Sequence, residues 1–238
     1  MTRNQLTAVL LMSMLHIASI VSAQQRNILW YDKPAANWNE ALPIGNGYIG
    51  AMIFGNPGHE RLQLNESTIW GGGPNNNIDT AALPYVNQVR ALLAEKKYAE
   101  AQSLANKSLG PKGNSGMPFQ LAGNLFIEFP EHKEVSNYRR ELNIENALSS
   151  VSYTHGGVEY KREYFTSLTK NVLMVRLTAS KPGMLSFKAE FQSPLKQAIY
   201  WKEGDLILAG KGSDHENQKG KIKFNAVARL KITGGTQR

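Results

Sequence analysis

The feature that most restricts the folds open to this chain is a run of short β-patterned segments, each closed by turn residues. Beyond a Gly-rich loop at residues 110–116, strands are predicted at 124–129, 149–154, 158–165, 171–179, 185–191, 205–209 and 224–232. Many short strands at turn-separated intervals predict a mainly β chain folded as an antiparallel sandwich. Upstream, residues 48–54 form a largely apolar run, Asn56-Pro57-Gly58 is turn chemistry, and residues 60–65 alternate polar with apolar. Those two segments predict a hairpin. Helical periodicity occurs between about residues 79 and 109. Val86, Val89 and Leu93 are spaced for one helix face, and Tyr98, Ala101 and Ala105 for a second. Asp79 or Thr80 can cap the first helix, with 95–97 as the connection. The expectation is a helical hairpin inserted into, and packed on, a β sandwich.

With 238 residues, 42% of them hydrophobic and 19% charged, the chain can bury a core and general disorder is not expected. There is no cysteine, which excludes disulfides, thiolate chemistry and cysteine-ligated metals. Lys and Arg outnumber Asp and Glu by 27 to 19, but the basic residues are scattered. The densest set, Lys219, Lys221 and Lys223, alternates as on the wet face of a strand, and no recognition helix accompanies it. Nucleic acid is therefore not an expected partner.

Residues 1–23 read as a secretory leader. Arg3 gives a positive start, Leu6 to Val21 are mostly apolar with Ser13 and His16 as breaks, and Val21-Ser22-Ala23 offers small residues for cleavage. The run is shorter than the roughly 20 residues of a membrane span and no basic stop follows, so no membrane anchor is expected. The mature chain is expected to begin after Ala23 and to be secreted or periplasmic.

Gly45-Asn-Gly-Tyr-Ile-Gly50 has the spacing of a dinucleotide-binding loop but not its context, since Pro43 precedes it and strand-like residues follow. The glycines fit a turn needing positive φ and close backbone approach. No cofactor is expected. His59, His132, His155 and His215 share no metal-ligand spacing, so no metal site is supported, and single histidines in polar turns are usually solvated. No nucleophile elbow occurs, and no pair of carboxylates is singled out, so no catalytic residue is assigned. Sequons at Asn65 and Asn106 matter only in a eukaryotic secretory pathway.

The most chemically loaded segment is 62–74, which leaves a strand and presents Asn65, Glu66, Thr68 and Trp70 before Gly71-Gly72-Gly73-Pro74. Sugar sites join an aromatic platform to carboxylates and amides that bond hydroxyls, and these four residues supply such parts. The alternative is that Trp70 belongs to the core and Glu66 caps or pairs locally, the commoner situation for such residues.

Several ordered blocks carry a family resemblance. They are Leu29-Trp-Tyr with Pro34-Ala, Trp38 and Glu40-Ala-Leu-Pro-Ile-Gly-Asn-Gly, then Gly50-Ala-Met-Ile-Phe-Gly, then Leu64-Asn-Glu-Ser-Thr-Ile-Trp-Gly-Gly-Gly-Pro74. Phe119-Gln-Leu-Ala-Gly-Asn-Leu125 follows, with Asn124 where an Asp is frequent, and then Tyr138-Arg-Arg-Glu-Leu-Asn-Ile and Tyr160-Lys-Arg-Glu-Tyr-Phe-Thr-Ser167. From about Leu29 onward the chain resembles the amino-terminal domain of glycoside hydrolase family 95, whose principal activity is α-L-fucosidase.

The resemblance implies an antiparallel β-super-sandwich over residues 24–238, incomplete at its C-terminal end. It also implies a catalytic α/α toroid elsewhere in the polypeptide as the partner in cis, and a fucosylated glycan or oligosaccharide as substrate. The family inverts configuration with a Glu general acid and a water activated by asparagines and an Asp, all in the toroid, and none has a matching position here. The chain is thus expected to be inactive alone, with residues 65–70 as a candidate loop at the active-site mouth. Two alternatives stay open from the residues: a stand-alone carbohydrate-binding sandwich with Trp38 and Trp70 as platforms, and a structural domain without sugar affinity.

Overall fold

The computed structural model describes residues 27–111 and 116–236, and the predicted leader lies outside the described residues. The chain forms two compact units: Met1–Leu62 with Ile127–Lys188, and Gln63–Phe126 with Ala189–Arg238. The architecture is mainly β and antiparallel, with one inserted helical hairpin.

In the first unit, β1 (Ile28–Tyr31), β6 (Ser136–Asn143), β7 (Leu148–His155), β8 (Val158–Thr166) and β9 (Leu173–Ala179) make one sheet in the order β1-β6-β7-β8-β9. The facing layer is β2 (Leu42–Gly45), β3 (Ile49–Ile53) and the start of β4 (His59–Glu66). Strands alternate their side chains between two faces, so one parity makes the core. Val151, Tyr153, Val158, Tyr160 and Tyr164 supply it from β7 and β8, and Leu42, Ile44, Ile53 and Leu62 from the other layer. Cross-strand partners such as Tyr153 and Tyr160 share the inner face, which locks the register. β6 carries a bulge between Ser136 and Arg139, where Asn137 takes φ 53°.

In the second unit the remainder of β4 runs beside β5 (Gly123–Glu128), and β5 beside β10 (Lys188–Gln192). The facing sheet is β11 (Lys196–Lys202), β12 (Asp205–Lys211) and β13 (Lys223–Arg229). Phe191, Leu206 and Leu208 are buried between the layers, with Leu64, Leu125, Phe224, Ala226 and Ala228 packed around them. Each fully buried Leu there contributes about 1.5–3 kcal/mol. Gly210 pairs with Phe224, whose ring lies over the space a β-carbon would take. Helices α1 (Leu83–Ala94) and α2 (Tyr98–Ser108) form the hairpin, and Asp79 caps the preceding 3-10 turn by accepting from Ala81 N at 3.0 Å.

The predicted strands are present with shifted ends. Sequence patterning passed over β1, β2, β6 and β11. β1 and β2 are four residues each, too short for a period to stand out, and β11 is an edge strand exposed along its whole length. β6 lacks a simple apolar alternation because the buried residue between Tyr138 and Leu142 on its inward parity is Arg140. The helical stripes also move. Leu92 is the half-buried residue where Leu93 was expected, and Tyr98 is exposed while Ala101 is the buried residue of α2. Lys219 and Lys221 lie in the loop before β13 and not on its face.

Candidate functional site

β4 ends at Glu66 because that residue's carboxylate turns back on the chain. Its Oε2 accepts from Thr68 N at 2.9 Å and from Thr68 Oγ1 at 2.6 Å, while its carbonyl accepts from Ile69 N at 3.2 Å. This is a local carboxylate turn of the kind acidic side chains favour at element ends. Ile69, 1% exposed, anchors the segment and throws Trp70 outward to 44% exposure. The indole N–H donates to Ser67 O at 2.9 Å, so what Trp70 can offer a ligand is its ring face.

Phe119 stands edge-on to Trp70, with centroids 5.4 Å apart and planes at 67°. The two residues also form an isolated antiparallel bridge, held by Gln120 N to Ile69 O and Gly71 N to Pro118 O, each 2.9 Å. Beyond the aromatic pair, the Gln120 amide bonds the Ser213 hydroxyl, and its Oε1 accepts from Ser213 N at 3.0 Å. Gly72 N donates to Ser213 O at 2.8 Å and Lys221 N to Gly72 O at 2.8 Å. An exposed aromatic pair beside an ordered amide and hydroxyl can stack on an apolar sugar face and bond its hydroxyls.

Of the four residues chosen from sequence, Glu66, Thr68 and Trp70 come together in one turn, and Asn65 sits half-buried at the end of β4. Trp70 is not a core residue, whereas Glu66 does pair locally. Phe119, Gln120 and Ser213 were not singled out. Phe119 lies in a Pro-Phe-Gln loop, and an aromatic in such a loop is the one signal that pointed to it.

Gly45 and Gly50 are hairpin partners, and Gly47 takes φ 91°. The glycine motif is therefore a turn followed by a strand and not by a helix. Among the described residues no His, Asp or Glu group has the arrangement of a metal site, and no helix is long and apolar enough to cross a membrane. One histidine departs from expectation. His132 is 7% exposed and ringed by Phe129, Tyr153, His155 and Tyr160, because its turn packs against the inner face of β7 and β8. Burial, then the neighbouring His155, holds its pKa below the ordinary value.

Residues 29–238 match the family described as glycosyl hydrolase family 65, N-terminal domain. Alpha-L-fucosidase 2 of Arabidopsis thaliana is 42% identical over 170 residues, which is 70% of this chain and 20% of that protein. "Probable alpha-fucosidase A" of Aspergillus oryzae is 26% identical over 93% of this chain and 31% of its own length. The protein of the same name from Aspergillus niger is 31% identical over 64% of this chain and 20% of its own length. The chain thus spans about a fifth to a third of the relatives it matches. It belongs to the glycosyl hydrolase family 65 N-terminal domain family.

Proposed function

We propose that the whole protein releases L-fucose from fucosylated glycans or oligosaccharides with inversion. In this reading its catalytic carboxylate lies outside this chain, and the chain by itself is inactive. The observation that carries the reading is the 42% identity over 170 residues to a protein named Alpha-L-fucosidase 2. The apolar leader with a small-residue cleavage site supports export to the periplasm or the medium, after cleavage near Ala23. Residues 24–238 then act as the supporting sandwich, with Asn65, Glu66, Thr68 and Trp70 contributing to sugar contact near the site. The test compares hydrolysis of 4-nitrophenyl α-L-fucoside by the complete reading frame and by this chain alone. Activity confined to the complete product supports the proposal, and turnover by this chain overturns the assignment of chemistry elsewhere.

A second reading is a carbohydrate-binding sandwich that works without a hydrolase partner, favoured by the exposed Trp70 and Phe119 pair. It predicts measurable sugar affinity in this chain alone.

A further inference from the structure

Within the first unit an open groove of about 900 Å³ is lined by Asp32, Lys33, Glu128, Lys133, Glu134 and His132, together with three prolines. His132 is the buried member, and its tautomer follows from its partners. Arg162 Nη2 donates to Tyr153 Oη at 2.7 Å, and a guanidinium has only donors. The phenol proton is therefore directed to His132 Nδ1, which lies 2.8 Å from the same oxygen. Nδ1 acts as an acceptor, so the neutral imidazole carries its proton on Nε2. Among the described residues Nε2 has no hydrogen-bond partner, and the side chain lines the groove. The result is a fixed N–H donor, set by a buried network, at the wall of a solvent-filled cleft.

The groove's charges decide the class of ligand. Asp32, Glu128 and Glu134 are offset by Lys33 and Lys133, and Glu128 also meets His59 at 3.3 Å. Such near-cancellation favours neither an anion nor a cation. It does provide acceptors, donors and three proline rings in one lining, which suits the hydroxyls and C–H faces of a neutral sugar. We propose that this groove is a second glycan-binding site, in which His132 Nε2–H donates to a sugar oxygen and the rim side chains of Lys133 and Glu134 bond hydroxyls. It is separate in residues from the Trp70 turn and does not depend on it.

The experiment is long-range ¹H–¹⁵N correlation of the full chain labelled with ¹⁵N-histidine, titrated with fucosyllactose and with lactose at pH 7. The expected result is an Nε2–H pattern for His132 without sugar and a shift of its Nε2 signal on addition of either sugar. Lys133 and Glu134 are exposed. Replacing both with Ala is expected to leave the melting temperature unchanged and to weaken that binding about tenfold, the scale of one or two charged hydrogen bonds. Trp70→Ala is expected to leave the His132 shift intact, which separates failure here from failure of the Trp70 reading. A His132 signal unmoved by millimolar amounts of both sugars, an Nδ1–H pattern, or unweakened binding in the double variant would overturn the proposal.

Discussion

Glu60 Oε2 and Arg162 Nη1 meet at 3.3 Å inside the first unit, with side chains 0% and 2% exposed. Glu60 Oε1 accepts from Gly55 N at 2.8 Å and Arg61 N at 3.0 Å, and Oε2 accepts from Tyr164 Oη at 2.7 Å. Arg162 donates to Asn56 O at 2.8 Å, to Pro57 O and to Tyr153 Oη. The pair thus ties β4, β8 and the turn at residues 55–58 into one network. Burial, then the charge of Glu60, holds the Tyr164 phenol well above the ordinary range, so it stays a donor.

Breaking this pair from one side leaves an uncompensated charge in the core. Arg162→Met is expected to cost about 3–5 kcal/mol, the usual penalty for stranding one member of a buried pair. Urea unfolding followed by far-UV circular dichroism checks it. A loss below about 1 kcal/mol, typical of an exposed pair, would contradict the buried network.

Gly55 is expected to reject any side chain. It takes φ 80°, and an added β-carbon would stand 2.6 Å from Tyr138 Oη and 3.0 Å from Arg140 Cδ. Gly55→Ala is expected to destabilise by about 1–3 kcal/mol from backbone strain alone, with the clash added. Thermal melts of the variant and of Gly47→Ala, which meets nothing within 4 Å, separate the two contributions.

His132 makes stability sensitive to mild acid. Its folded pKa lies below 6.5, so as pH falls the unfolded chain takes up the proton first. The native state is fully favoured above pH 6.5, loses ground from there downward, and goes on losing until the folded histidine itself protonates. Melting temperatures are expected to fall between pH 7 and 5.5, and to fall less in His132→Gln. Equal slopes in the two proteins would assign the effect to other groups.

Trp70→Ala is expected to weaken sugar binding at the Glu66–Trp70 turn about tenfold, since stacking on one aromatic ring is worth about 0.5–1.5 kcal/mol beyond its area. The ring is 44% exposed, so the melting temperature is expected to change little. Shifts of the Gly71 and Gln120 backbone amides, which flank the turn, during a fucosyllactose titration read the binding in both proteins. Unchanged affinity removes Trp70 from the site.

Much of the fold is legible along the chain because strands have a period of two. Val158, Tyr160, Arg162 and Tyr164 share one parity, and the three apolar members already put Arg162 on the inner face. Likewise Leu62 and Leu64 place Glu60 inward by spacing alone. The helical hairpin followed from its 3.6-residue rhythm, and Val86, Val89, Ala101 and Ala105 lie on its hidden side as spaced, while Leu92 takes the place of Leu93 and Tyr98 is exposed. The Trp70 turn was visible as a cluster of polar and aromatic residues next to glycines. Phe119, Gln120 and Ser213 were not, since the nearest of them, Phe119, is 49 residues away along the chain.

Local periodicity determined which residues turn inward, because each strand's alternation is a property of its own backbone. Only the tertiary structure decided which inward charge meets which. Glu60 and Arg162 are 102 positions apart, and they pair because two separate sheets are packed face to face. The same packing carried His132 out of a turn that looks solvated and into a ring of aromatics. There a neighbouring tyrosine, and not the histidine's own sequence, sets where its proton sits.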